Sequence, residues 1–312
     1  MNSVEQYLVE EELEHYRDGW ISRREFLRRA VILGAGAATA AAMATSITPA
    51  RRVRAAPAAQ QSPFSVAAND PEVATDWVWY RSTDGVELRA YLAWPATAAI
   101  SKGSPGVTIC HANRGVNAHT QNVARRYARQ GYVAIAPDLP SRTGTATDAF
   151  PDLPSLMAAY RQLTPEQNAL DFAVSLDFLR AHPAVDENKL AATGFCFGGS
   201  VIWRLATIYP RLTAAAPHYG SNPPIADVPN IRAASFGVYA SNDNRGNAGI
   251  SELAAALNGA GARYKITIYP NSDHGFHDDT SNDYNAQTAA QAYVDTLNWF
   301  AEHLDLPAPM SF

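Results

Sequence analysis

The sequence predicts an α/β fold with a mainly parallel central sheet and helices on both faces. Two observations carry that expectation: short apolar or β-branched runs recur along the chain, and stretches with helix-start signals fall between them. In chain order, 76–81 and 86–94 flank Ser82-Thr83-Asp84-Gly85, a turn signal between partly alternating apolar segments, and so predict a hairpin. Gly106-Val107-Thr108-Ile109-Cys110-His111 has the composition of a buried parallel strand. A helix over 123–130 closes at Gly131, and the strand after it, 132–136, stops at Pro137-Asp138. Thr164-Pro165-Glu166-Gln167 is a capping box with proline at the first helical position, and it opens a helix running to about 181. Strands are further expected at 190–195, 214–219, 234–239 and 264–269, with helices from about 199, 250 and 285. Functional loops in such sheets gather at the carboxyl ends of strands, so the chemistry is expected directly after them.

Composition excludes several functions. With 47% hydrophobic and 18% charged residues the chain is ordinary globular material, neither disordered nor a multi-span membrane protein. A net charge of -5 leaves no general basic surface for a phosphate backbone, so nucleic acid is not an expected partner. Two cysteines, Cys110 and Cys196, are too few for a disulfide scaffold or a cysteine-rich zinc site. Near the N-terminus, Ser22-Arg23-Arg24-Glu25-Phe26-Leu27-Arg28 precedes a mildly apolar, alanine-rich run over 30–44. A basic start, a short apolar stretch and small residues beyond it are the parts of an export signal, and the run is too short for a bilayer of about 30 Å. The paired arginines before Phe-Leu resemble the twin-arginine signal. Residues 1–57 are therefore expected to be a leader and linker, cleaved among 50–59, and 58–312 a single α/β domain. The expected destination is the periplasm or the exterior, with the translocation machinery as a transient partner and no stable membrane span in the mature form.

The site follows from three strand ends. Gly194-Phe195-Cys196-Phe197-Gly198-Gly199 lies between a strand and a helix, which is a nucleophile elbow with cysteine in the serine position. A helix N-terminus favours a thiolate there. Asp243 follows the strand at 234–239, and His274 follows the strand at 264–269. Nucleophile, acid, then histidine is the α/β-hydrolase order, in which His274 takes the thiol proton and Asp243 orients the imidazole. Asp273, Asp278 and Asp279 compete for the acid role, but Asp273 adjoins His274 too closely for the geometry.

From about residue 70 onward the chain resembles the dienelactone hydrolase family. The segments that carry the resemblance are His111-Ala112-Asn113-Arg114-Gly115, Ala136-Pro137-Asp138-Leu139, the Cys196 elbow, Asp243-Asn244-Arg245-Gly246-Asn247-Ala248-Gly249 and His274-Gly275-Phe276. The resemblance implies an α/β-hydrolase fold and metal-free, cofactor-free hydrolysis of a small lactone or carboxylic ester through Cys196, His274 and Asp243. It also implies an oxyanion hole built from the backbone N–H groups of Phe197 and Asn113. One departure stands out: where related members carry a pocket glutamate this chain has Ala112. Arg114, Arg142 and Arg245 are candidates for binding a substrate carboxylate.

Other readings remain. Ala112 and an oxidising compartment are compatible with a catalytically silent binding protein that keeps the fold. A thiol redox protein using Cys110 and Cys196 lacks the Cys-x-x-Cys spacing. Cys110 reads as a buried spectator on the neighbouring strand, although a disulfide to Cys196 is a possibility to measure. His274, His277, Asp278 and Asp279 do not have the spacing of a zinc signature, and His277 reads as a loop residue beside the site.

Overall fold

A computed structural model describes residues 21–46, 61–96, 103–160 and 162–310, together with positions 6, 9, 10, 12, 13 and 16. Eight strands form one sheet in the order β1-β2-β4-β3-β5-β6-β7-β8. β1 (Val73–Arg81) and β2 (Glu87–Pro95) make the expected antiparallel hairpin, with Arg81 opposite Glu87. β2 is also antiparallel to β4 (Val133–Pro137), and from there the sheet is parallel. β3 (Ser104–Cys110), β5 (Val185–Phe195), β6 (Ala214–His218), β7 (Ala234–Ala240) and β8 (Tyr264–Tyr269) complete it. Every residue of β6 and β7 is buried, as strands covered on both faces require.

Helices pack against the sheet. α3 (Ala118–Arg129) and α9 (Ala286–His303) meet through Tyr127, which lies 5.7 Å from the ring of Tyr293 and 6.2 Å from that of Phe300. α5 (Pro165–Ala181) and α6 (Phe197–Ile208) lie on the other side, against β3 and β5. α3 starts earlier than the apolar periodicity indicated, because the Asn117 side chain caps it by accepting from the Thr120 N–H at 3.0 Å. The capping box of α5 is half formed. Thr164 accepts from the Gln167 N–H at 3.2 Å, but the Gln167 side chain donates to Asp171 at 3.2 Å instead of returning to the cap. α4 (Leu153–Tyr160) has no counterpart in the sequence reading. α7 (Asn244–Asn247) is a single turn and α8 (Ile250–Gly259) follows it.

In the leader, α1 (Arg23–Ile32) and α2 (Ala37–Thr45) are separate helices. The break falls at Gly34, whose φ of 99° ends the first helix and interrupts the apolar run. Phe26, Ala30 and Leu33 are buried while Arg23 and Arg24 are exposed. Among the described residues no helix is long and apolar enough to cross a membrane. The expected cleavage region, 50–59, lies outside the described residues.

The contact that places the site is the approach of α6 to the end of β3. A Cβ on Gly198 would lie 2.5 Å from the carbonyl oxygen of Cys110 and 2.6 Å from that of His111, both backbone atoms. Gly198→Ala is therefore expected to push the helix start away from β3, costing about 1–3 kcal/mol of stability in a urea titration. Unchanged stability in that variant would show that the two elements are not held at this distance.

Candidate functional site

β5 turns into α6 within one residue. Cys196 takes up that turn with φ 59° and ψ -123°, a left-handed conformation that a side-chain-bearing residue adopts only under constraint. Its N–H donates to His218 O at 3.1 Å, tying the turn to β6, and its side chain is left at the head of the helix, 3% exposed. β7 and β8 deliver the partners. Asn242 N–H donates to Ser272 O at 3.0 Å, so the two loops that carry Asp243 and His274 are joined by backbone.

His274 Nδ1 donates to Asp243 Oδ2 at 2.6 Å. Asp243 Oδ1 accepts from the Gly246 N–H at 2.8 Å, which fixes the carboxylate plane. The competing acids are committed elsewhere: Asp273 accepts from the Asn242 side chain at 2.8 Å, and Asp278 and Asp279 lie against His119. Burial works against charge on both partners. The charge of Cys196 and hydrogen bonds to Asp243 and Cys196 nevertheless carry the His274 imidazole well above its ordinary value. Burial also opposes the Asp243 carboxylate, but the His274 hydrogen bond and charge, the Gly246 N–H and the Arg245 charge hold it below the usual range. Neither cysteine is in a disulfide, and Cys110 ends β3 opposite Gly194.

The cleft over Cys196 brings Asn113, Arg114 and His274 to one wall set, together with Ala112. Phe197 is the first residue of α6, where a backbone N–H has no acceptor within the helix. The Asn113 loop is held by His111. Its Nδ1 lies 2.6 Å from Ala112 O, and its Nε2 accepts from the Leu139 N–H at 3.3 Å. Burial lowers His111 to about 4, which keeps the ring neutral near neutral pH.

The three arginines separate. Arg114 is exposed at the rim of the cleft. Arg142 does not line it: its guanidinium reaches Asp171 and Asp84, each at 2.8 Å, because a fully buried carboxylate at 171 requires a cation. Arg245 is half-buried behind Asp243, whose charge it favours, and is not part of the cleft wall.

Several lining groups escaped the sequence reading, Tyr219 and His119 among them. Tyr219, with φ 39°, follows β6 and packs its ring edge-on against His274 at 4.9 Å. Its only sequence signal is a tyrosine before glycine at a strand end. His119, in the first turn of α3, also lines the cleft, and nothing local marks it because its partners come from 160 residues away. His277 is buried and stacked on Phe195 at 4.5 Å, a packing position beneath the site. Of the described residues, His119, Asp278 and Asp279 come nearest to a metal-ligand set, with donor atoms within 4.8 Å of one another. Asp279, however, already accepts from Arg126 and from the Ser62 N–H, at 2.8 and 3.0 Å.

The paired shifts define a pH window. His274 is raised above 6.5, so its contribution to stability is fully present below that value and is lost as pH rises through the folded value. Asp243 is lowered from 3.8, so its contribution is present above that value and is lost as pH falls through the folded one. Asp243→Asn is expected to lower stability by about 1.5–3 kcal/mol between roughly pH 4 and 6.5, with the difference shrinking on either side. Urea midpoints across pH test this, and a difference constant with pH would mean that the pair is not charged.

Comparison with known proteins shows the family of the chain. The model of the dienelactone hydrolase family matches residues 88–304. A Yersinia pestis protein named "Putative carboxymethylenebutenolidase" is 34% identical over 236 residues, 71% of this chain and 86% of that protein. A protein of the same name from Escherichia coli K12 is 30% identical, over 71% of this chain and 84% of its own length. Among solved structures, a dienelactone hydrolase-type protein from Klebsiella pneumoniae, itself titled putative, superposes with a TM-score of 0.67 at 28% identity, covering 74% of this chain and 99% of that one. With its α/β-hydrolase fold, this chain belongs to the dienelactone hydrolase family.

Proposed function

We propose that the chain hydrolyses a small lactone or carboxylic ester through an acyl-cysteine intermediate. The observation that carries this reading is Cys196 held at a strained turn at the head of α6, in one cleft with a His274 ring whose Nδ1 is fixed by Asp243 at 2.6 Å. The Cys196 thiolate attacks the carbonyl carbon, and the developing oxyanion is received by the N–H groups of Phe197 and Asn113. The His274 imidazolium passes its Nε2 proton to the departing alkoxide, leaving an acyl thioester. Neutral His274 then takes a proton from water as that water attacks the thioester. Collapse of the second tetrahedral intermediate expels the thiolate and releases the acid, and the imidazolium is restored. Asp243 holds the ring and balances its charge throughout.

Ala112 motivates the rival reading, a silent binding protein. The hydrolase reading is favoured because His274, fixed by Asp243 at 2.6 Å, shares the cleft with Cys196 and needs no carboxylate at position 112 to be held there. Residues 58–312 are proposed as the catalytic domain, with no cofactor, and residues 1–57 as a leader that delivers the folded chain through the twin-arginine route to the periplasm or exterior. What supports the route is that Arg23 and Arg24 are exposed on α1.

Cys196→Ala is expected to lower kcat for p-nitrophenyl acetate by about 10⁴-fold, and iodoacetamide to abolish turnover in the wild type. Unchanged turnover in Cys196→Ala overturns the mechanism, while a folded protein without turnover whose Cys196 is slow to alkylate supports the binding-protein reading. For export, Arg23→Lys with Arg24→Lys is expected to leave the precursor in the cytoplasm, measured by cell fractionation. Normal export of that variant overturns the twin-arginine route.

A further inference from the structure

The N-terminal segment is folded onto the entrance of the cleft. Helix α1 packs on α4, and its Phe26 and Ala30 are fully buried. Arg29 ties the segment together: it donates to Glu12 at 2.9 Å and to Glu25 at 2.8 Å, and Glu12 is itself buried. Asp152, directly before α4, is held below its ordinary value by hydrogen bonds from Ser155 and, across the contact, by the charge of Arg28.

Where α1 sits decides its effect. Ile21 and Arg29 line an outer chamber together with Leu153 and Leu156 of α4. Arg114, Asn117, Ser281 and Asp283 line that chamber and the catalytic cleft alike, so one opens into the other. The inner cleft measures about 60 Å³ and the chamber about 560 Å³. A substrate much larger than its reacting group must therefore extend into the chamber, one wall of which is the N-terminal segment. Farther toward the N-terminus, Gln6 and Glu10 line a groove with Phe197 and Ser200 in the first turn of α6, so the segment borders the site from two directions. α4 has its own anchor beneath: the Tyr160 ring packs edge-on against Phe197 at 5.6 Å, and its hydroxyl lies 3.3 Å from His111 Nδ1. Departure of α1 would open the chamber and leave the catalytic residues in place.

We propose that α1, with the residues just before it, is a lid on the cleft of its own chain. Docked on α4, it admits small esters and lactones and holds out those with a bulky acyl or alcohol group; displaced or removed, it lets them in. Buried apolar surface keeps it docked, and the undocked fraction sets the access of large ligands. The substrate consequence rests on the hydrolase reading, whereas the lid itself is read by access to the Cys196 thiol.

The test inserts a protease recognition sequence between Ala55 and Ala56, so that the folded full chain can be cut after purification and the freed segment separated by gel filtration. Cys196 is labelled with fluorescein maleimide or with iodoacetamide, against Cys196→Ala as background, and kcat/KM is measured for p-nitrophenyl decanoate and p-nitrophenyl acetate. Cutting is expected to raise maleimide labelling and decanoate turnover by about tenfold, as for a lid closed about nine-tenths of the time, while the two small reagents change by less than about twofold. Phe26→Asp, which charges the buried face of α1 in the uncut chain, is expected to give the same selective rise, and it decides the matter where the cut segment stays bound. An unchanged ratio of bulky to small labelling in the cut chain and in Phe26→Asp overturns the lid, and with Cys196-dependent turnover of either ester it overturns the lid alone. An equal fall with all four reagents on cutting overturns it as well, since the segment would then be a support for the fold. A selective rise in maleimide labelling without Cys196-dependent turnover of either ester upholds the lid and overturns the hydrolase reading.

Discussion

Helix α6 begins within touching distance of the carbonyl ends of β3 and β6, and the arrangement of the cleft descends from that. Only a residue without a Cβ fits at 198, because the carbonyl oxygens of Cys110 and His111 occupy the space. To enter a helix so near the neighbouring strands, the chain must reverse within one residue, and Cys196 carries that reversal at φ 59°. The strain places Cys196 at a helix N-terminus, in a cleft that the loop after β3 also lines. A looser turn would relieve Cys196 and separate it from both.

Buried carboxylates then decide which charges are available to a ligand. Asp171, Asp243 and Asp279 are each enclosed, and each is matched by a neighbour: Arg142, His274, and Arg126 with His119. An unmatched buried carboxylate is strongly unfavourable, so these pairings take precedence over any role the cations could have at the surface. The consequence is a cleft from which the inner arginines are withdrawn. What remains on its walls is the Cys196–His274 pair, backbone N–H groups and acceptors, with Arg114 outside at the rim.

Much of the fold was legible because its signals are local. The Ser82–Gly85 turn, the proline-led start of α5 and the apolar runs of β3, β6, β7 and β8 each lie within a few residues, and each element appears near its expected place. Boundaries moved where a side chain intervened, as with Asn117, whose cap starts α3 before the apolar stripe does. α4 was not legible, since its burial depends on distant packing rather than on a marked amphipathic stripe. The leader's apolar run was legible as composition, but its division into two helices depends on Gly34 adopting φ 99°.

The sequence by itself determined the α/β class, the elbow around Cys196, and the order in which Asp243 and His274 follow it, because strand ends and glycine-rich turns are written in consecutive residues. Tertiary structure decided which carboxylate meets His274, since Asp243, Asp273, Asp278 and Asp279 differ only in where their loops are carried. It also decided that Arg142 serves Asp171 rather than the cleft, and that Tyr219 and His119 line the cleft at all. Those outcomes depend on contacts between residues far apart in the chain, with His119 and Asp279 separated by 160 positions. Their pairing follows from the sheet that brings both to one end, and from the unfavourable energetics of leaving a buried charge without a partner.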